Sequence, residues 1–511
     1  MKAGRLLMVD LPGPTLDEDT ARHLRQHGVR AVCLFRRNIV SEAQLTQLCA
    51  ALREVMGPEA LIAVDQEGGG VVRTDFWPFP PSALALGAAR GQTQSESAQP
   101  DFTQPDLTQT REVAAANARF LRSVGINWNF APVLDVNVNP LNPVIGDRAF
   151  GSDPQLVARH GLAYAAGLDD FGVAACAKHF PGHGDTDQDS HLTLPTVKRS
   201  RYELDETELL PFRRAAEAGI PAIMTAHIVF PALDQQLPAT LSPAILTGLL
   251  RGEWGYEGVV ITDSMGMQAI DSSDFGQHSG RGPAAVQALR AGADMVMALG
   301  RREVQIETLA AVQGALDGGP YDPAPSLARL SGLAARYPAQ LRLHIERHTD
   351  ALLFGQAWAR GLSAVGNVIL PPLHRPVLLV VRREEAARQI SEAGLSAPHL
   401  KAALDDLYDL TLHEFSDPAA LDWPALRAQA DASGAALLLA TTGRLRATFP
   451  GIHAATPDLH LCLWNPYAVL DVPAPALVTC GFRPEVLVAL RSALAGTGKA
   501  AGRLPLVGLE G

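Results

Sequence analysis

Up to about Leu299, apolar residues fall into short continuous runs separated by longer stretches with a period of about 3.6, the alternation expected of βα units. The pattern predicts strands at 6–10, 31–35, 61–66, 127–134, 174–179, 222–227, 258–263 and 295–299. Eight strands of this kind close a parallel barrel. Amphipathic helices are expected between them at 17–27, 42–55, 110–123, 154–169, 204–217, 243–251 and 283–291. Ser242 followed by Pro243 reads as an N-cap with proline at the first helical position, and Gly172 as the stop after a helix ending near Asp170. Polar side chains stand at or just past the C-terminal ends of several strands: Asp10, Asp65, Glu67, Asp135, Lys178, His179, His227 and Asp263. In a barrel those ends share one rim, where active sites form. A dinucleotide-binding or flavodoxin-like sheet would place its ligand at a single switch point, and no G-x-G-x-x-G or G-x-x-x-x-G-K-[ST] opens a helix here.

Beyond Tyr337 the pattern changes. Residues 341–374 read as a helix and traverse joining a barrel domain, 1–340, to a smaller α/β sandwich, 375–511. Strands are expected in the latter at 376–381, 436–440, 459–463 and 476–479, and no catalytic cluster accompanies them. The polar stretch 89–110 lacks apolar periodicity and reads as a disordered surface insertion, with a substrate lid as the alternative.

The chain has 511 residues, 47% hydrophobic and 19% charged, which suits folded globular domains and argues against global disorder. The net charge of -11 comes without long acidic or basic blocks, so nucleic acid is not an expected partner. No run approaches the roughly 20 apolar residues of a membrane span. The first apolar run is broken by Asp10, too early for a signal peptide, which points to the cytoplasm. The five cysteines show no C-x-x-C spacing, so neither disulfides nor a thiolate metal site are expected.

The densest chemistry runs from Lys178-His179-Phe180-Pro181-Gly182-His183-Gly184 through Asp185 and Asp187 to Asp189-Ser190-His191. Ionisable groups at this density are costly to bury and unneeded in a connector. A solvated loop and a His/Asp metal site are the plainer readings, although neither H-E-x-x-H nor cysteine ligand spacing is present. The functional reading pairs Asp189 with His191: a carboxylate orients the imidazole and raises its pKa, leaving a proton for a departing group. Asp263 ends the β-branched run Val259-Val260-Ile261-Thr262 and is read either as a helix N-cap or as a nucleophile for an anomeric carbon. In Asp65-Gln66-Glu67-Gly68-Gly69-Gly70-Val71-Val72-Arg73 the glycines form an anion nest or a tight turn, and Asp65 and Arg73 grip sugar hydroxyls or pair in solvent. Arg148 clamps an oxygen-rich ligand or anchors its loop, and His227 is either a pocket residue or a hydrogen-bonded core histidine.

Taken together, VDQEGG, NFAPVLDV, IGDRAFG, KHFPGHGDT, DSH and ITDSMGM resemble the β-N-acetylhexosaminidases of glycoside hydrolase family 3. The resemblance implies a (β/α)8 TIM-like barrel in which Asp263 is the nucleophile and His191 the acid/base, supported by Asp189. It also implies sugar contacts from Asp65, Arg73, Arg148, Lys178 and His179. The implied activity is retaining exo-hydrolysis of terminal β-linked N-acetyl-D-glucosamine, from cell-wall-derived muropeptides or related glycosides, with no metal or organic cofactor. NPY at 465–467 and GRLPL at 502–506 resemble recurrent motifs of the α/β sandwich that follows many such barrels. One departure stands out: the family has arginine after E-G-G, where this chain has Gly70. The competing readings are a β-N-acetylglucosaminide phosphorylase that takes inorganic phosphate, a β-glucosidase or β-xylosidase, and a sugar-binding protein without catalysis.

Overall fold

The computed structural model describes residues 1–89, 106–189, 194–267, 270, 280–319, 321–340, 346–383 and 395–509. Among them, eight parallel strands close into a barrel: β1 (Leu7–Asp10), β2 (Ala31–Leu34), β3 (Leu61–Val64), β4 (Trp128–Asn129), β5 (Ala174–Phe180), β6 (Ala222–Thr225), β7 (Val259–Ser264) and β8 (Met295–Met297). Closure is made by β8 on β1, with Leu7 opposite Val296 and Met8 opposite Met297. The strands are buried apolar runs because helices cover the sheet outside and side chains fill it inside.

The apolar run at 127–134 yields a shorter strand than expected, since Pro132 has no N–H for the ladder. The chain nonetheless stays beside β5, where Lys178 N donates to Pro132 O (3.1 Å) and Leu134 N to Lys178 O (2.7 Å). Ser242 accepts from Ile245 N through its Oγ (3.2 Å), as an N-cap should. The helix it opens, Ala244–Glu253, is π-helical rather than the α-helix the periodicity predicts. Gly172 adopts φ +72° and donates to Asp169 O (2.9 Å), ending its helix in the left-handed region that glycine favours.

A second body holds a six-stranded sheet in the order β11-β10-β12-β13-β14-β9, comprising β9 (Ser363–Val365), β10 (Pro376–Arg382), β11 (Asp409–Phe415), β12 (Ala436–Thr441), β13 (Leu459–Cys462) and β14 (Ala476–Val478). All neighbours are parallel except β9, which runs antiparallel to β14. The apolar pattern overlooked both edges: β9 has three residues, and β11 exposes or half-buries all of its positions but Phe415. The helix Arg347–Gly361 joins the two bodies, burying Phe354 and Ala357 in the barrel's core cluster and Trp358 in that of the second sheet.

The second body also reaches the C-terminal rim of the barrel. Tyr467 Oη donates to Asn137 O (2.9 Å), Arg503 N to Ala88 O (2.9 Å) and Arg483 Nε to Gly69 O (2.9 Å), while Ser82 Oγ donates to Cys480 O (2.6 Å). These bonds hold the segments that follow β3 and β4. No helix among the described residues is long and apolar enough to cross a membrane.

Candidate active site

The loop after β3 turns sharply at Gly68–Val71, where the two residues bond each other in both directions (3.2 and 3.0 Å). A Cβ on Gly68 would stand 2.2 Å from Pro81 O and one on Gly69 2.6 Å from Ser82 Cβ, so neither position tolerates a side chain. The amide of Gly68 donates to Val71 O and that of Gly69 to Pro80 O (2.9 Å), so the glycines make a tight turn and not an anion nest. Gly70 is buried and, with Arg444, Trp464 and Asn465 of the second body, lines a gap of only about 10 Å³.

That turn delivers Glu67 into a buried charge network. Arg148 grips its carboxylate with two parallel bonds, Nε to Oε2 at 2.8 Å and Nη2 to Oε1 at 2.9 Å, and Lys178 Nζ lies 2.6 Å from Oε1. Lys178 also donates to Asp65 Oδ1 (2.7 Å), whose other oxygen is 3.5 Å from Arg73 Nη2. Burial opposes every one of these charges, but the opposite charges outweigh it. The pKa of Glu67 is therefore held below its ordinary value by Arg148 and Lys178, and that of Asp65 by Lys178 and Arg73. The Lys178 ammonium is in turn held above its usual range by Asp65 and Glu67.

A second chain of contacts fixes the loop after β5. His179 Nδ1 lies 2.7 Å from Asp135 Oδ2, while the amides of His179 (3.1 Å) and His183 (2.7 Å) donate to Asp135 Oδ1. Arg148 Nη2 donates to His179 Nε2 (3.3 Å), so Nδ1 carries the proton given to Asp135. Burial pushes the His183 ring down to about 4 despite Asp135. Asn142 Nδ2 donates to the carbonyls of His183 (2.8 Å) and Gly184 (3.1 Å), and Arg199 pairs with Asp185 at 2.6 Å. The loop is thus pinned as far as Asp185 and continues to Asp189, which is half-buried. His191 lies outside the described residues, as do 90–105 of the polar insertion.

Asp263, at the end of β7, accepts from Ser264 N (2.7 Å) and opens on a cavity of about 310 Å³. Asp65, Glu67, Arg73, Arg148, Lys178, His179 and His183 line the same cavity, together with Phe130, Val71, Val144, Met224 and Met297. A lining that combines charged and polar groups with apolar side chains suits a ligand with hydroxyls and C–H faces. His227 is not among the lining residues: its ring bonds Thr240 Oγ1 (2.8 Å) and Ser264 O (2.9 Å), steadying the backbone next to Asp263. Glu67, Asp135 and His183 had no role assigned from the sequence. Counting charge would have flagged Glu67, since a lysine and an arginine converging on one rim require buried acid beside them.

Fold and cavity together define a (β/α)8-barrel enzyme with its site on the C-terminal rim. Residues 1–321 match the N-terminal domain of glycosyl hydrolase family 3, and the chain belongs to that family. It is 36% identical over 352 residues to the Beta-hexosaminidase of Thiobacillus denitrificans, covering 68% of this chain and 92% of that one. A glycoside hydrolase family 3 beta-N-acetylglucosaminidase from Paenibacillus sp. str. FPU-7 superposes with a TM-score of 0.86 at 32% identity, over 99% of this chain and 98% of that one. NagZ from Neisseria gonorrhoeae in complex with N-trifluoroacetyl-D-glucosamine matches at 31% identity and TM-score 0.52, over 64% of this chain and 98% of that one.

Two stability predictions follow from the buried acids. Because the folded pKa of Glu67 lies below the ordinary 4.5, its stabilisation is complete above that pH and lost as pH falls. Glu67→Gln is expected to cost about 3–5 kcal/mol at pH 7 by urea unfolding, with a gap to the native protein that narrows below pH 4.5. Asp147 behaves oppositely: burial lifts it to about 6 from 3.8, despite the Trp464 side chain bonded to it. Ionising it therefore penalises folding increasingly from pH 3.8 to 6, and Asp147→Asn is expected to raise the melting temperature at pH 8 but not at pH 3.5.

Proposed function

We propose that this protein is a retaining exo-glycosidase that removes terminal β-linked N-acetyl-D-glucosamine, with Asp263 as nucleophile and His191 as proton donor. The observation that carries the reading is the opening of Asp263 onto the cavity lined by Asp65, Arg73, Arg148, Lys178 and His179. These five residues hold the sugar hydroxyls, and the charge network keeps Asp65 and Lys178 ionised for that purpose. Membership of the family, and relatives named as hexosaminidases and an N-acetylglucosaminidase, support the acetamido sugar as substrate.

In the first step the Asp263 carboxylate attacks the anomeric carbon while His191 protonates the departing glycosidic oxygen, leaving the sugar as an ester on Asp263. Asp189 orients His191 and supports its positive charge. His191, now neutral, takes a proton from water, which attacks the same carbon and releases Asp263, so configuration is retained. No metal or organic cofactor enters these steps. His227 positions the backbone after the nucleophile through Ser264 O instead of binding sugar. Cytoplasmic muropeptides derived from the cell wall, or related glycosides, are the proposed source of substrate.

Steady-state turnover of p-nitrophenyl β-N-acetylglucosaminide and β-glucoside, each with and without inorganic phosphate, tests the reading. Free N-acetylglucosamine released independently of phosphate is expected. N-acetylglucosamine 1-phosphate would reassign the enzyme as a phosphorylase, and preferential glucoside cleavage would overturn the substrate. Replacing His191 by alanine is expected to slow poor leaving groups most, because they depend on protonation. Equal losses across a series of leaving groups would contradict its role as donor.

A further inference from the structure

The cavity onto which Asp263 opens adjoins a larger one. Phe35, Arg37, Ser264 and Leu299 line both, and past them a space of about 560 Å³ runs along the segments that follow β1, β2, β7 and β8. Its walls carry Arg37, Arg281, Arg301 and Arg302 against a single carboxylate among the described residues, that of Asp10. Asp10 is already engaged: it pairs with Arg37 and accepts from Gly300 N (2.9 Å) and Gln305 Nε2 (2.9 Å). Arg302 donates to Thr20 Oγ1 (2.9 Å) and Asp19 O (3.4 Å), and its charge also acts on the Asp17 carboxylate. The Arg281 guanidinium sits between the loops after β7 and β8, with Nη1 3.4 Å and 3.5 Å from where a Cβ added to Gly266 and to Gly300 would stand.

The placement of these cations does not serve the helices that carry them. Arg281 and Arg302 are the first residues of the helices Arg281–Ala291 and Arg302–Asp317, where the helix dipole favours acidic side chains. The acidic residue in the second helix's first turn, Glu303, does not line the cavity. Positive charge is therefore gathered on a concave wall continuous with the site, where field lines concentrate and anionic ligands are attracted.

We infer that this groove is the leaving-group subsite and that it receives an oxyanion, a carboxylate or phosphate, through Arg301 and Arg302. The inference rests on the proposed glycosidase activity: with the sugar in the first chamber, the group bonded to its anomeric oxygen occupies the second. The oxyanion is carried by the aglycone, or it is free inorganic phosphate in the same place.

The test compares kcat/KM for two aryl β-N-acetylglucosaminides with leaving groups of equal acidity, one neutral and one bearing a carboxylate, in the full-length enzyme and in R301A/R302A. The native enzyme is expected to favour the anionic glycoside by about fivefold at low salt. That ratio should fall toward one in the double variant, and also in the native enzyme at about 0.5 M salt. A phosphate titration with the neutral glycoside separates the sources. Acceleration with sugar 1-phosphate formed, or competitive inhibition relieved in R301A/R302A, would assign the groove to free phosphate. A native enzyme that turns over both glycosides equally and ignores phosphate would overturn the subsite, as would a preference undiminished in the variant. Failure to turn over any glucosaminide would instead remove the activity on which the inference rests.

Discussion

Glu67 carries two cations on one buried carboxylate, and the geometry of the catalytic rim depends on that arrangement. Arg148 arrives from the loop after β4 and Lys178 from β5, so a single acid ties three successive βα units together. Lys178 in turn fixes Asp65, and Arg148 fixes the ring of His179, which Asp135 holds from its other side. Charges taken this far from water are tolerated only when their partners are complete. The same completeness keeps Asp65 and Lys178 ionised and rigid before any ligand arrives, which is what recognition of a polyhydroxylated ligand requires.

The second body takes part in holding this network. Arg483 bonds the carbonyl of Gly69 in the turn that delivers Glu67, its guanidinium lying over Phe79 and Phe482, and Tyr467 bonds the loop after β4 that leads to Arg148. The two sequence motifs noted in this half, NPY and GRLPL, include residues that touch the barrel: Tyr467 at Asn137, and Arg503 and Pro505 at Ala88 and Ser152. Gly70 belongs to the same seam, where it lines a small gap together with Arg444 and Trp464. The departure from the family motif thus coincides with the place where the second body closes over the turn.

Much of the barrel was legible because its strands are short apolar runs, several with a polar residue at the C-terminal end, and closure places those ends together. What the pattern missed has physical causes. Pro132 interrupts the ladder inside an apolar run, and β11 lies at a sheet edge where solvent replaces a neighbour and polar residues are tolerated. The sugar-contact candidates Asp65, Arg73, Arg148, Lys178 and His179 do meet in one cavity with Asp263, whereas His227 serves the backbone beside it. Glu67 and Asp135 escaped assignment since their importance comes from partners distant in sequence, which no local motif displays. The groove of arginines was equally hidden, because its members come from segments that only barrel closure brings side by side.

The proposed retention of configuration requires a covalent bond between Asp263 and the sugar. Incubating the enzyme with 5-fluoro-β-N-acetylglucosaminyl fluoride, which slows hydrolysis of the ester more than its formation, and mapping the labelled peptide by mass spectrometry tests it directly. One sugar adduct per chain is expected, on Asp263, lost in D263A. An adduct on another residue, or active enzyme that is never labelled and releases sugar of inverted configuration, would contradict it.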